Sequence, residues 1–75
     1  MIPIHELINK IRWDPNENPD DYVLVYDDDV EKEIKYADMQ PEGRFIKIEN
    51  KEIPMHKIRR VRKKGEIVWQ RNTGN

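Results

Sequence analysis

The chain has 75 residues and a net charge of -1, with charged residues making up 39% of its length. That length predicts one domain, residues 1–75, with a small core that commits most of the apolar side chains. The absence of cysteine excludes disulfides and thiolate chemistry, and no apolar run approaches the ~20 residues of a membrane span.

Ile4, Leu7, Ile8 and Ile11 fall at the i, i+3, i+4, i+7 spacing of an amphipathic helix. Pro3 suits the first turn, where a missing N–H costs nothing. Asp14 precedes Pro15 and is driven out of the α region, so the helix is predicted to stop near Arg12 or Trp13. Asn16 to Asp21 reads as a polar loop. Tyr22-Val23-Leu24-Val25-Tyr26 is β-branched and aromatic, a strand covered on both faces. Asp27-Asp28-Asp29 is then a turn, and Glu31 to Tyr36 alternates as the second strand of a hairpin, with Ile34 and Tyr36 on one face.

Pro41-Glu42-Gly43 turns the chain into Arg44 to Glu49, where Ile46 and Ile48 form the inward pair. Asn50-Lys51 leads to Glu52-Ile53, and Pro54 to Lys57 suits a short helical turn. Arg59 to Lys63 and Glu66 to Arg71 form a last hairpin about Lys64-Gly65, where glycine can take positive φ. Arg71 to Asn75 is expected to fray. The fold class is α+β: one N-terminal helix on a mainly antiparallel sheet of about five to six short strands.

Charge is polarised along this order. Asp14 to Glu42 holds eleven acids and two lysines, whereas His56 to Arg71 holds seven lysines and arginines and one acid, Glu66. A basic segment attracts anions even in a neutral protein. Two solvated faces, or an edge strand protected by charge, account for the same pattern. Within the segment His56 can donate to a phosphate oxygen, although a histidine closing a short turn would look identical. Arg59, Arg60 and Arg62 offer the planar fork that binds phosphate through two hydrogen bonds, and Lys57, Lys63 and Lys64 offer point charges. Aromatic residues among cations hold single-stranded RNA by stacking, but in so small a domain several of Trp13, Tyr22, Tyr26, Tyr36, Phe45 and Trp69 must be core. His5 borders the apolar helix face. The acids Asp27 to Glu31 lack EF-hand spacing, there is no phosphate-binding glycine loop and no zinc spacing, and neither cofactor nor metal is expected.

Four segments together resemble one family from Ile4 to Arg71: Leu7-Ile8-Asn9-Lys10-Ile11-Arg12-Trp13-Asp14, Tyr22 to Asp28, Ile53-Pro54-Met55-His56-Lys57-Ile58, and Gly65-Glu66-Ile67-Val68-Trp69. The chain is similar to the RNA cyclic group end recognition domain, a small archaeal family also found fused to RNA-repair domains in eukaryotic proteins. The resemblance implies a non-catalytic module that recognises RNA ends bearing a 2′,3′-cyclic phosphate or a related group. RNA, and in turn RNA-processing enzymes, would be its partners. Family members often carry an arginine where Asp29 stands here and usually one where Lys57 stands, and Gln70 replaces an acid often found after the tryptophan.

From this resemblance and the residue chemistry, His56, Lys57, Arg59 and Arg60 are expected to hold the terminal phosphate. Trp13 or Tyr26 is expected to stack on the last base, with Trp69 nearby, and Asp14 or Asp28 to penalise the second charge of a monophosphate. The competing enzyme reading is a small ribonuclease or cyclic phosphodiesterase using His5 and His56 as base and acid. A third reading is a protein-interaction module with acidic and basic faces. The expected state is a cytoplasmic monomer or weak dimer that does not contact membranes.

Overall fold

A computed structural model describes residues 2–71. Helix α1 spans Ile4–Trp13. Pro3 is its extended N-cap, and Asp14, held extended by Pro15, closes it with its N–H on the Lys10 carbonyl. Ile4, Leu7, Ile8 and Ile11 form its buried stripe.

Among the described residues seven strands follow: β1 (Tyr22–Asp28), β2 (Val30–Lys35), β3 (Gln40–Glu42), β4 (Phe45–Ile48), β5 (Lys51–Pro54), β6 (Ile58–Lys63) and β7 (Glu66–Gln70). They form two antiparallel sheets rather than one, with strand orders β2-β1-β6-β7 and β3-β4-β5. Three single-turn 3-10 segments, Pro19–Asp21, Tyr36–Asp38 and Met55–Lys57, join the elements. No described helix is long and apolar enough to cross a membrane.

The hairpin turns follow from local chemistry. Lys64 and Gly65 both take positive φ between the paired Lys63 and Glu66, the pattern of a two-residue type I′ turn. The aspartate run is a turn only at Asp29 (φ 68°), because Asp27 and Asp28 continue β1. Tyr36 leaves the strand face for the 3-10 turn, and from there its hydroxyl donates to the Ile8 carbonyl of α1 at 2.7 Å.

The core lies where the helix meets both sheets. Ile8 and Ile11 pack with Leu24 of β1, Ile58 and Val61 of β6, Trp69 of β7, and Ile46 and Ile53 of the smaller sheet. Fully burying an aliphatic side chain contributes about 2 kcal/mol, and Ile8, Ile11, Leu24, Ile46, Ile58 and Val61 are essentially inaccessible. Arg71, expected to fray, is instead anchored: its N–H bonds the Arg59 carbonyl at 2.7 Å and extends the β6–β7 pairing. The rest of that expectation, residues 72–75, lies outside the described residues.

A candidate anion-binding cleft

The basic segment becomes β6, and its position decides what its charges do. β6 is interior to the sheet, between β1 and β7, so its cations do not protect an edge. Its outward residues sit beside β1 and reach across it to the acids of β2. Arg60 grips both carboxylate oxygens of Glu31, at 3.0 and 3.3 Å, and Arg62 pairs with Glu33. Arg59 Nε lies 2.9 Å from Asp27, Lys63 3.1 Å from Glu17, and Lys64 4.0 Å from Asp21. The acid-rich and base-rich stretches are thus two sides of one cross-strand charge zipper. The stems of Arg60 and Arg62 flank Val25, which is 2% exposed although it lies outside the core cluster.

At one end of the zipper Glu17 accepts from the Tyr22 hydroxyl at 2.7 Å as well as from Lys63. Those two bonds, the tyrosine's first, hold the Glu17 carboxyl below its ordinary range. Burial, then the Glu17 bond, pushes the Tyr22 phenol up, and Glu17 likewise raises Lys63.

A separate cleft of about 620 Å³ opens beside the start of α1. One wall is the first half of α1, with Pro3, Ile4, His5 and Asn9; His5 and Asn9 are one helical turn apart and so share a face. A second wall is the β3–β4 turn, where Gly43 takes φ +59° and presents Arg44. The third is Met55 and His56 of the 3-10 turn, and the last is Trp69 and Arg71 at the end of β7. The Met55 N–H donates to the Arg44 carbonyl at 2.8 Å, which fixes the arginine-bearing turn against the histidine-bearing one.

Arg71 is held more firmly still. Its Nε donates to the Ile58 carbonyl at 3.0 Å and Nη2 to the Met55 carbonyl at 3.1 Å, while its guanidinium lies 5.3 Å from the centre of the Trp69 ring. Trp69 is fixed in turn by Nε1–H on the Ile2 carbonyl at 2.8 Å. Its partners among the described residues are all neutral, so none of them compensates its charge. Among the described residues neither Arg44 nor Arg71 forms an ion pair, and no aspartate or glutamate lines the cleft. The start of α1 adds the positive end of the helix dipole. Two guanidinium groups, two imidazoles, an amide and a helix start in one acid-free concavity favour an anion. The described residues contain no group of side chains suited to a metal ion.

Against the expected site, this geometry keeps some residues and disperses others. His56 and Trp69 line the cleft, and Lys57 is exposed beside His56 with no acid partner among the described residues. Arg59 and Arg60 are engaged by Asp27 and Glu31 and stand apart from it. Tyr26 is buried in the core, where no base can reach it. Trp13 is 72% exposed, but it lies eight helical residues from His5, roughly 12 Å along the axis, and carries Arg12 over its ring. Asp14 accepts the Asn16 N–H at 2.9 Å in the loop after α1, and Asp28 binds Lys51 and Lys32, which hold its carboxyl below the ordinary range. Neither acid borders the cleft, so neither can discriminate between end groups there. Arg44, Arg71 and Asn9 line the cleft and are not among the residues expected from the sequence. Their only sequence signals are a glycine-arginine turn, a terminal arginine and an asparagine one turn after His5.

Residues 1–71 match the family model described as MJ1316 RNA cyclic group end recognition domain. Two UPF0248 proteins from strains of Methanococcus maripaludis are 32% and 34% identical over 74 residues, covering 91% of this chain and 97% of each relative. A UPF0248 protein of Saccharolobus solfataricus is 32% identical over 77 residues, covering 91% of this chain and 95% of the relative. No solved structure matches significantly. The match over residues 1–71 and the identity to these relatives place the chain plainly: it belongs to the MJ1316 RNA cyclic group end recognition domain family.

Proposed function

We propose that the chain is a non-catalytic RNA-end-binding module that takes a terminal phosphate, above all a 2′,3′-cyclic phosphate, into the cleft between α1, the β3–β4 turn and the end of β7. The observation that carries this reading is the separation of charge. The cations of β6 are neutralised within the fold, while Arg44 and Arg71 face an acid-free cleft together with His5 and His56. Arg71, tied to the Met55 and Ile58 carbonyls, is pre-organised, and Arg44, on a turn, closes on the phosphate as a second fork. Charge alone favours the dianionic monophosphate over the monoanionic cyclic end. Preference for the cyclic group then rests on the apolar wall of Pro3, Ile4, Met55 and Trp69 against the compact ribose-phosphate ring.

The test is fluorescence anisotropy with short single-stranded RNAs that are identical except for a 3′-hydroxyl, 3′-phosphate or 2′,3′-cyclic phosphate end. Binding should favour phosphate-bearing ends, with the cyclic end tightest, and Arg44→Gln or His56→Ala should reduce the advantage of the phosphate-bearing ends over the 3′-hydroxyl. Equal binding of all three ends would overturn the reading.

One observation favours a second reading. His5 and His56, from α1 and the 3-10 turn, border the same cleft, as a base and acid acting on one phosphodiester must. Incubation of the protein with cyclic-phosphate-ended RNA separates the two readings. Hydrolysis lost in both His5→Ala and His56→Ala would make the module an enzyme, and intact substrate would leave it a binder.

A further inference from the structure

We infer that Phe45 is the platform on which the base of the terminal nucleotide stacks, outside the cleft that takes its phosphate. The inference rests on the reading of the cleft given above and adds a second subsite to it.

Burial removes the other candidates. Tyr22, Tyr26, Tyr36 and Trp69 are all 6% exposed or less, and the Trp69 ring already carries Arg71. Only two aromatics present a face to solvent among the described residues, Trp13 at 72% and Phe45 at 43%. Trp13 ends α1, whereas the cleft borders the beginning of that helix.

Phe45 neighbours the cleft without lining it. It opens β4 directly after Arg44, and across the sheet it is paired with Pro54, which leads into Met55 and His56. It therefore has cleft-wall residues next to it in both strands, and consecutive Cα atoms are only about 3.8 Å apart. Alternation along β4 turns Ile46 fully inward and leaves Phe45 and Lys47 on the outward side. Phe45 lies outside the buried core cluster although apolar side chains are scarce in a domain this small. Arg44 precedes it in the chain and Lys47 shares its face of β4, an arrangement of aromatic and cationic residues that suits single-stranded nucleic acid. Every base has a π-face, so such a platform tolerates any sequence and confers a demand for a base as such. The ligand class is a single-stranded end whose last nucleotide is unpaired and carries its base.

The experiment uses the whole chain and two short RNAs with the same phosphate-bearing end, one with a base on the last nucleotide and one abasic there. Each is titrated by anisotropy against the wild type, Phe45→Leu and Phe45→Trp. The wild type should prefer the base-bearing end by about tenfold. Phe45→Leu should lower that affinity to the abasic level without changing abasic binding, and Phe45→Trp should restore it. Retained secondary structure by circular dichroism shows that the exposed substitution leaves the fold intact. Equal binding of the two RNAs by the wild type, or an equal loss for both in Phe45→Leu, would overturn the stacking subsite while leaving the phosphate cleft standing. Binding of neither RNA would overturn the cleft and the subsite together.

Discussion

If the cleft and not β6 binds RNA, two arginine substitutions should act very differently on the salt dependence of binding. Arg60 is held by both oxygens of Glu31, so its charge is already compensated and should release no counterion from RNA. Arg44 has no acid partner among the described residues and should count as one full phosphate contact. For single strands each contact contributes about 0.7 to the slope of log K against log salt. Removing one should flatten the fall between roughly 50 and 200 mM salt by about 2.5-fold. The variants are Arg44→Gln and the charge-conserving double Arg60→Gln, Glu31→Gln, each titrated with phosphate-ended RNA across that range. Arg44→Gln should reduce the slope by about 0.7 and weaken binding at low salt by about tenfold, since a hydrogen bond to a charged group is worth about 1.5–3 kcal/mol. The double variant should change neither quantity. A slope that drops equally in both would mean that RNA displaces the cross-strand pairs, and the assignment of β6 to folding alone would be wrong.

Three further predictions concern the scaffold. Tyr36→Phe removes the buried bond to the Ile8 carbonyl and should cost about 1 kcal/mol, read as a fall of roughly 4–8 °C in thermal midpoint. No shift would mean that the hydroxyl contributes nothing net. Glu17 is depressed below its ordinary value, so its contribution is complete above the usual glutamate range and is lost as pH falls through the folded value. Stability measured by denaturant titration should therefore decline on acidification below about pH 4, and less steeply in Glu17→Gln. An identical acid profile in that variant would remove Glu17 from the account. Gly65→Ala must hold a side chain at φ +88° and should cost about 1–2 kcal/mol although no atom lies near the new methyl, so an unchanged urea midpoint would contradict the turn assignment.

Local chemistry made α1 legible from end to end, because its apolar spacing and the Asp14-Pro15 stop both act within a few residues. The same holds for the Lys64-Gly65 turn and the 3-10 turn after Pro54. β3 was hidden because three residues that include Pro41 carry no alternation. The division into two sheets depends on which strands meet, and nothing local encodes that. The site suffered most from this limit. Arg60 and Arg62 looked free because their acids lie 29 residues earlier in the chain, and only the neighbouring of β6 and β1 brings them together. Trp69 could not be assigned a face without the register of β7. Arg44 and Arg71 stand apart from the densest run of cations, so a reading that looks for clusters does not bring out these two arginines, which line the cleft without an acid partner among the described residues.

The charge zipper also bears on how the chain assembles during synthesis. The β1–β2 hairpin leaves the ribosome before β6, carrying five acids against two lysines, and its inner strand has an open flank along Tyr22 to Tyr26 until residues 58–63 arrive to fill it. Mutual repulsion of those acids keeps the nascent hairpin soluble and discourages two such flanks from joining between neighbouring chains. The arriving arginines cancel that repulsion as they close the sheet. The side chains that tie the finished sheet together thus also protect it while it is half made.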